Sequence, residues 1–356
     1  MATFEGGREL SMTAFEYVKN LGAGWNLGNT FDSIMRRKND KRPHETAWGN
    51  PLTTKMMIKA VRDAGFELLR LPVTWYQEMT DAPEYTIDAK FLARVKEVLD
   101  YGIELGMTVI LNLHHENWLF PSDENFPDAK ARMEKVWTQL ANYFGDYSEK
   151  LIFEAMNEPR KIKTDVEWNG GDEEGRRVVM QLNQVFVDTV RKTGGKNISR
   201  MLLVPNYAAS STENALQDFV LPVGENIIVS IHAYIPYEFA LSDDHEKNSW
   251  NEQDKADIDN LFARIDKYFI SKGIPVILGE TGARKKRDNA CDRAEWAAYY
   301  TSKARELGIP CCWWDTGHPE NEAEGSEVFG LLDRETLKWA YPDIVKAFVG
   351  RYSHSS

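Results

Sequence analysis

The chain has 356 residues, 42% of them hydrophobic, and a formal net charge of −12. That is enough apolar material for a sizeable core, and the acidic balance excludes nucleic acid as a partner, because its phosphates would be repelled. No apolar run reaches the roughly 18 residues that a membrane span requires, so no membrane segment is expected.

A pattern recurs along the chain: apolar run, loop, amphipathic segment, next apolar run. The first run, LGAGWNLGN (21–29), precedes a helical pattern over Thr53–Ala64. LLRLPV (68–73) leads to Ala89–Glu104, MTVILNLHH (107–115) to Ala129–Tyr143, and LIFEAMNE (151–158) to Glu173–Arg191. RMLLVPNY (200–207) precedes a short helix near Glu213–Val220, and IIVSIHAY (227–234) precedes Ile258–Ile270. IPVILGET (274–281) leads to Arg293–Glu306, and IPCCWWDT (309–316) to a closing helix near Thr336–Phe348. Gly65, Gly106, Gly195, Gly273 and Gly308 fall between a helix and the next run, where a left-handed residue ends a helix.

Most of these runs are too continuously apolar for a sheet with one wet face, and match strands covered on both sides. Eight such βα units predict a single closed (β/α)8 TIM barrel. A doubly wound open sheet is the weaker alternative, since no glycine-rich phosphate loop follows the first run. No linker or composition break divides the chain, so residues 1–356 are expected to form one catalytic domain. The longest polar insertion, 235–253, is expected to be a substrate-side loop.

In a barrel the C-terminal strand ends open onto one face. Here those ends are polar: Asn26 and Asn29, Arg70, His114 and His115, Asn157 and Glu158, Asn206 and Tyr207, His232 and Tyr234, Glu280, then Trp313, Trp314 and Asp315. Charged groups at such positions are costly to bury without partners. Two glutamates meeting there, Glu158 and Glu280, suit glycoside hydrolysis, which needs a carboxylate pair flanking the bond. One must donate a proton, which calls for a raised pKa, and the other must stay an anion, for which Arg70 is the candidate cation.

Several stretches carry a family resemblance: GWNLGNTFD (24–32), AWGNP (47–51), RLPVTW (70–75), ILNLHHE (110–116), FEAMNEP (153–159), HAYIP (232–236), LGETG (278–282) and WWDTG (313–317). In this order they resemble glycoside hydrolase family 5, and within it the bacterial and anaerobic-fungal endo-β-1,4-glucanases. The resemblance implies a retaining, endo-acting enzyme on cellulose and mixed-linkage β-glucan, with xyloglucan, mannan or xylan as alternative polymers. It implies Glu158 as acid/base, Glu280 as nucleophile and Arg70 as the nucleophile's support. It further implies Asn157 at the sugar 2-hydroxyl, His114, His232 and Tyr234 around that sugar, and Trp314 beneath it. Asn29, Asp32 and His115 match more distal polar contacts. Trp48 and Trp118 are loop aromatics that could meet sugar. No cofactor or metal is implied. The partner is a β-1,4-linked polysaccharide or oligosaccharide, bound by a monomer that stands alone or within a larger modular enzyme.

A metal site at His114-His115 is disfavoured, because adjacent strand residues point to opposite faces. A sugar-binding barrel without catalysis would require a decayed glutamate pair. Trp137, Trp296 and Trp339 on predicted helices are expected to be packing residues. The basic run Arg284–Arg287 is expected to be a solvated loop. Cys291, Cys311 and Cys312 are expected to be buried free thiols. The sequon Asn197-Ile198-Ser199 would permit N-glycosylation. Residues 1–10 hold no signal-peptide core, 351–356 read as a frayed end, and a secreted location is expected with the signal peptide outside this sequence.

Overall fold

The computed structural model describes residues 12–35, 43–320, 328–350 and 352. The readings of 1–10 and of the tail after Tyr352 lie outside these. Eight parallel strands close into one barrel in sequential order. They are β1 Gly24–Leu27, β2 Leu68–Leu71, β3 Thr108–Asn112, β4 Leu151–Glu154, β5 Leu202–Pro205, β6 Ile227–His232, β7 Val276–Thr281 and β8 Cys311–Asp315. Each predicted run contains its strand, so the (β/α)8 expectation holds.

Helices follow every strand: α1 Lys55–Asp63, α2 Ala89–Glu104, α3 Phe126–Tyr143, α4 Glu173–Lys192, α5 Glu213–Gln217, α6 Glu252–Tyr268, α7 Ala290–Glu306 and α8 Pro342–Val349. Two helix starts depart from expectation by six residues, 252 against 258 and 342 against 336, and other ends by three or fewer. Helix α6 starts earlier than its apolar pattern, because Asn251 and Asp254 form a capping box across the polar stretch before it. Helix α8 starts later, at Pro342, whose missing N–H suits a first helical turn. The residues before it form a small hairpin in which Leu332 pairs with Trp339.

Side-chain alternation divides the barrel into two environments. Leu68, Ile110, Ile152, Leu203, Ile228, Ile277 and Cys312 cluster inside it, closed below by Val18 from the short helix Ala14–Lys19. The intervening residues, among them Trp25, Leu69, Val109, Phe153, Val204 and Trp313, face the helices. Burial of each such aliphatic or aromatic side chain contributes about 1.5–3 kcal/mol. The inner stack turns polar toward the C-terminal mouth, where Asn26, Arg70, Glu154, Ser230 and His232 are all buried.

Other expectations are corrected. Arg284 and Lys286 of the basic run are buried, and Lys286 Nζ donates to the carbonyls of Glu238 and Lys247, tying the β7 loop to the 235–253 insertion. That insertion contains a short helix, Tyr237–Ala240, with Phe239 buried. Cys311 and Cys312 are buried, but Cys291 is exposed. Asn197 cannot present a glycan: it is buried, and its amide donates to Ala141 O at 2.8 Å and accepts from Arg200 Nε at 2.7 Å. Trp137 and Trp296 are fully buried, while Trp339 is half-buried and stacks on Phe66 at 5.9 Å.

Candidate active site

Arg70 organises the mouth of the barrel. It lies on β2 with its guanidinium fully buried. Nε donates to Glu154 at 2.7 Å, Nη1 to Glu280 at 2.7 Å and to Asn26 at 3.1 Å, and Nη2 to Asn157 at 2.8 Å. Burial opposes its charge, but the carboxylates of Glu154 and Glu280 more than offset this and hold it firmly protonated. Asn26 is itself anchored, donating to the carbonyl of Gly279 at 2.9 Å.

Glu280 reaches the mouth through an irregularity in the sheet. Ile277 faces the interior and Leu278 faces the helices, so strict alternation would send Glu280 outward. The register between β6 and β7 shifts after Ile231 and Leu278, and His232 then pairs with Glu280. A second shift separates Leu278 and Thr281 opposite β8. Such bulges re-aim a side chain, and here Glu280 turns onto Arg70 and the hydroxyl of Tyr234, which donates to it at 3.0 Å. Gly279 is required beside it: a Cβ there would lie 2.9 Å from His232 Nε2 and 3.0 Å from Ser230 Oγ.

Glu158 follows β4 in the loop. His232 Nδ1 lies 2.8 Å from its Oε1 and 3.7 Å from Glu280. Carboxylate oxygens of Glu158 and Glu280, with a ring nitrogen of His232, all fall within 4.8 Å of one another. Arg160 donates to the Glu158 carbonyl at 3.0 Å and sits 3.6 Å from its carboxylate. Its guanidinium lies under the exposed ring of Trp168 at 4.1 Å. Burial raises the Glu158 carboxyl, but the His232 hydrogen bond and the charges of His232, Arg160 and His115 bring it below the ordinary value. The sequence reading called for a raised value. The difference arises because these partners come from separate segments and meet only in the fold.

Trp314 points into the mouth and stacks parallel on His114, with ring centroids 5.6 Å apart. Trp313, one residue earlier, faces Trp296 and Phe348 on the helix side. Burial, then the charges of His115 and Arg70, holds the His114 imidazole well below an ordinary histidine and therefore neutral. Asp32 accepts from the backbone N–H groups of Asn29 and Thr30 at 3.0 and 2.6 Å, and Asn29 sits in the left-handed region that asparagine tolerates, at φ 53°. Trp48 is partly exposed beside a groove of about 900 Å³ and stands 6.0 Å from His115.

Two features run against expectation. Strand β3 ends at Asn112, so His114 and His115 are not bound by strand alternation. Their rings meet at 4.4 Å, and with Asp32 they offer ligand-type atoms within 4.8 Å of one another. Both Asp32 oxygens already accept backbone N–H groups, which leaves that cluster a poor metal cradle. Trp118 is packed inward, with its indole N–H donating to Glu116 at 2.6 Å and its ring under Arg132. Its neighbours Glu116, Asn117 and Leu119 line a cavity of about 280 Å³ with His114, His115 and Glu158. Glu154, Ser230 and Arg160 were absent from the sequence-derived site. For Glu154 a signal existed, since alternation from the inward Ile152 places it on the same face.

A closed (β/α)8 barrel with two glutamates facing each other across its C-terminal mouth is the architecture of a glycoside hydrolase. The family model for cellulase, glycosyl hydrolase family 5, matches residues 34–320. The chain is 42% identical over 347 residues to Endoglucanase A of Ruminococcus albus, covering 96% of this chain and 94% of that protein. Among solved structures, a GH5-4 broad specificity endoglucanase from Ruminococcus champanellensis with bound cellotriose superposes with a TM-score of 0.90 at 42% identity, covering 96% of this chain and 99% of the other. A mutant of a glycoside hydrolase 5 lichenase from Caldicellulosiruptor sp. F32, in complex with cellotetraose, does so with a TM-score of 0.91 at 40% identity, covering 99% of each chain. The chain belongs to glycosyl hydrolase family 5.

Proposed function

We propose that the chain is a retaining endo-β-1,4-glucanase acting on internal bonds of cellulose and mixed-linkage β-glucan, with Glu280 as nucleophile and Glu158 as acid/base. The carrying observation is the approach of the two carboxylates to within 4.8 Å. Retaining pairs stand about 5–5.5 Å apart, whereas inverting pairs need about 6.5–9.5 Å to admit a water. In the first step a Glu280 oxygen bonds to the anomeric carbon as the glycosidic C–O bond breaks. The leaving oxygen takes, through Glu158, the proton held by the Glu158–His232 pair, whose atoms meet at 2.8 Å. In the second step water attacks the same carbon, gives its proton to Glu158, and the Glu280 ester bond breaks.

Asn157 and neutral His114 face the sugar hydroxyls, and Trp314 offers its ring to a C–H face. The endoglucanase and lichenase names of the relatives, with their bound cello-oligosaccharides, support a β-glucan as the polymer. We assign the chain one catalytic domain, monomeric and acting outside the cell; among the described residues no helix is long and apolar enough to cross a membrane.

The test is sugar release from carboxymethyl-cellulose, barley β-glucan, xyloglucan, glucomannan and xylan, alongside Glu280→Ala with and without azide. The expected result is β-glucan cleavage that Glu280→Ala loses, with azide restoring turnover and giving a product of inverted configuration. Cleavage by Glu280→Ala at the native rate would remove Glu280 from its role. Binding without any release would favour a non-catalytic barrel.

A further inference from the structure

Among the buried carboxylates that take no part in the mechanism, one stands against the cation that supports Glu280. Glu154 is fully buried at the end of β4. Its Oε2 accepts from Arg70 Nε at 2.7 Å and its Oε1 from Ser230 Oγ at 2.8 Å. The Arg70 guanidinium lies equally close, 2.7 Å, to Glu280. One cation therefore serves two carboxylates, only one of which faces the reacting centre.

This shared cation bears on the chemistry. A full positive charge against Glu280 stabilises its carboxylate, yet the first step consumes that negative charge as the C–O bond to the sugar forms. Stabilising the starting anion more than the transition state slows the step. We infer that Glu154 is a positioning residue that offsets the charge of Arg70, so that Glu280 is aligned as a carboxylate by hydrogen bonds without its charge being over-stabilised against attack. The inference rests on Glu280 being the nucleophile.

Removing the Glu154 charge acts differently on the two steps. In the first, unoffset Arg70 favours the starting carboxylate, and its net positive charge behind Glu280 opposes the developing oxocarbenium ion; both effects slow ester formation. In the second, the Glu280 carboxylate is the leaving group, and the same unoffset cation, 2.7 Å away, assists its departure. A residue that merely held the fold would slow both steps together.

The experiment uses the full chain and 2,4-dinitrophenyl 2-deoxy-2-fluoro-β-cellobioside, which forms the glycosyl ester and releases it slowly. Mass spectrometry of the labelled wild type first locates the ester; a label away from Glu280 sinks the nucleophile assignment and leaves no question about Glu154. With the label on Glu280, Glu154→Gln is expected to be labelled about a hundredfold more slowly, the lower range for losing one preorganised electrostatic partner. Reactivation of its isolated ester is expected to match or exceed the wild-type rate. Glu154→Asp, which keeps the charge, is expected to recover most of the labelling rate. Where Glu154→Gln does not fold, Glu154→Met removes the charge without needing a hydrogen-bond partner and carries the same expectation. Equal slowing of labelling and reactivation, or no change in either, overturns the inference.

Discussion

Replacing Arg70 by methionine is expected to lower thermal stability and abolish turnover together. Methionine has a similar length and no charge, so the change leaves the packing near its original volume while removing the cation. Four charge-assisted or polar contacts disappear, to Glu154, Glu280, Asn157 and Asn26. Glu154 and Glu280 remain as neighbouring buried carboxylates with no counter-charge from Arg70. Removing one partner of a buried ion pair costs about 3–5 kcal/mol, far more than an exposed pair would. Larger domains lose about 2–4 °C of Tm per kcal/mol, so a fall of roughly 6 °C or more is expected. Adding Glu154→Gln to Arg70→Met should recover part of this loss, because one uncompensated charge is gone. Scanning calorimetry of the three variants, with β-glucan hydrolysis of the folded fractions, is the assay. An Arg70→Met protein with native Tm, or a double variant less stable than Arg70→Met, would refute the charge argument.

Two further predictions concern the mouth and its surroundings. A Cβ added at Gly28 would lie 2.8 Å from the Asp315 carbonyl and 3.0 Å from the Trp314 ring, so Gly28→Ala should displace that ring and cut kcat/KM about tenfold to a hundredfold. Combining it with Trp314→Ala should fall no further than Trp314→Ala alone; full additivity would show that Gly28 acts elsewhere. Burial pushes the Glu116 carboxyl up to about 7, against hydrogen bonds from the Trp75 and Trp118 N–H groups. A raised carboxyl takes up a proton on folding, so its contribution to stability is fully present below the ordinary carboxylate range and is lost as pH rises through about 7. The Tm of the wild type relative to Glu116→Gln should therefore decline across that window, and parallel Tm profiles would count against it.

The sequence by itself determined the barrel and the polar rim. Continuous apolar runs report strands buried on both faces, and helix periodicity reports their covers. Both are local signals, which is why α2 was read to the residue as Ala89–Glu104. A polar residue closing each run marks the mouth, because chain direction alone sends every strand end to the same face. The tertiary structure decided what those residues do to one another. Glu280 turns inward only because bulges against β6 and β8 break a two-residue alternation. Glu154 became legible only through Arg70, 84 residues away, and Arg70 joins it to Glu280 across another 210. Trp118 and Lys286 look like exposed loop residues until Glu116 and the carbonyls of the 235–253 insertion draw them inward. Periodicity is carried by neighbours in sequence, whereas charge pairing, burial and aim are set by neighbours in space.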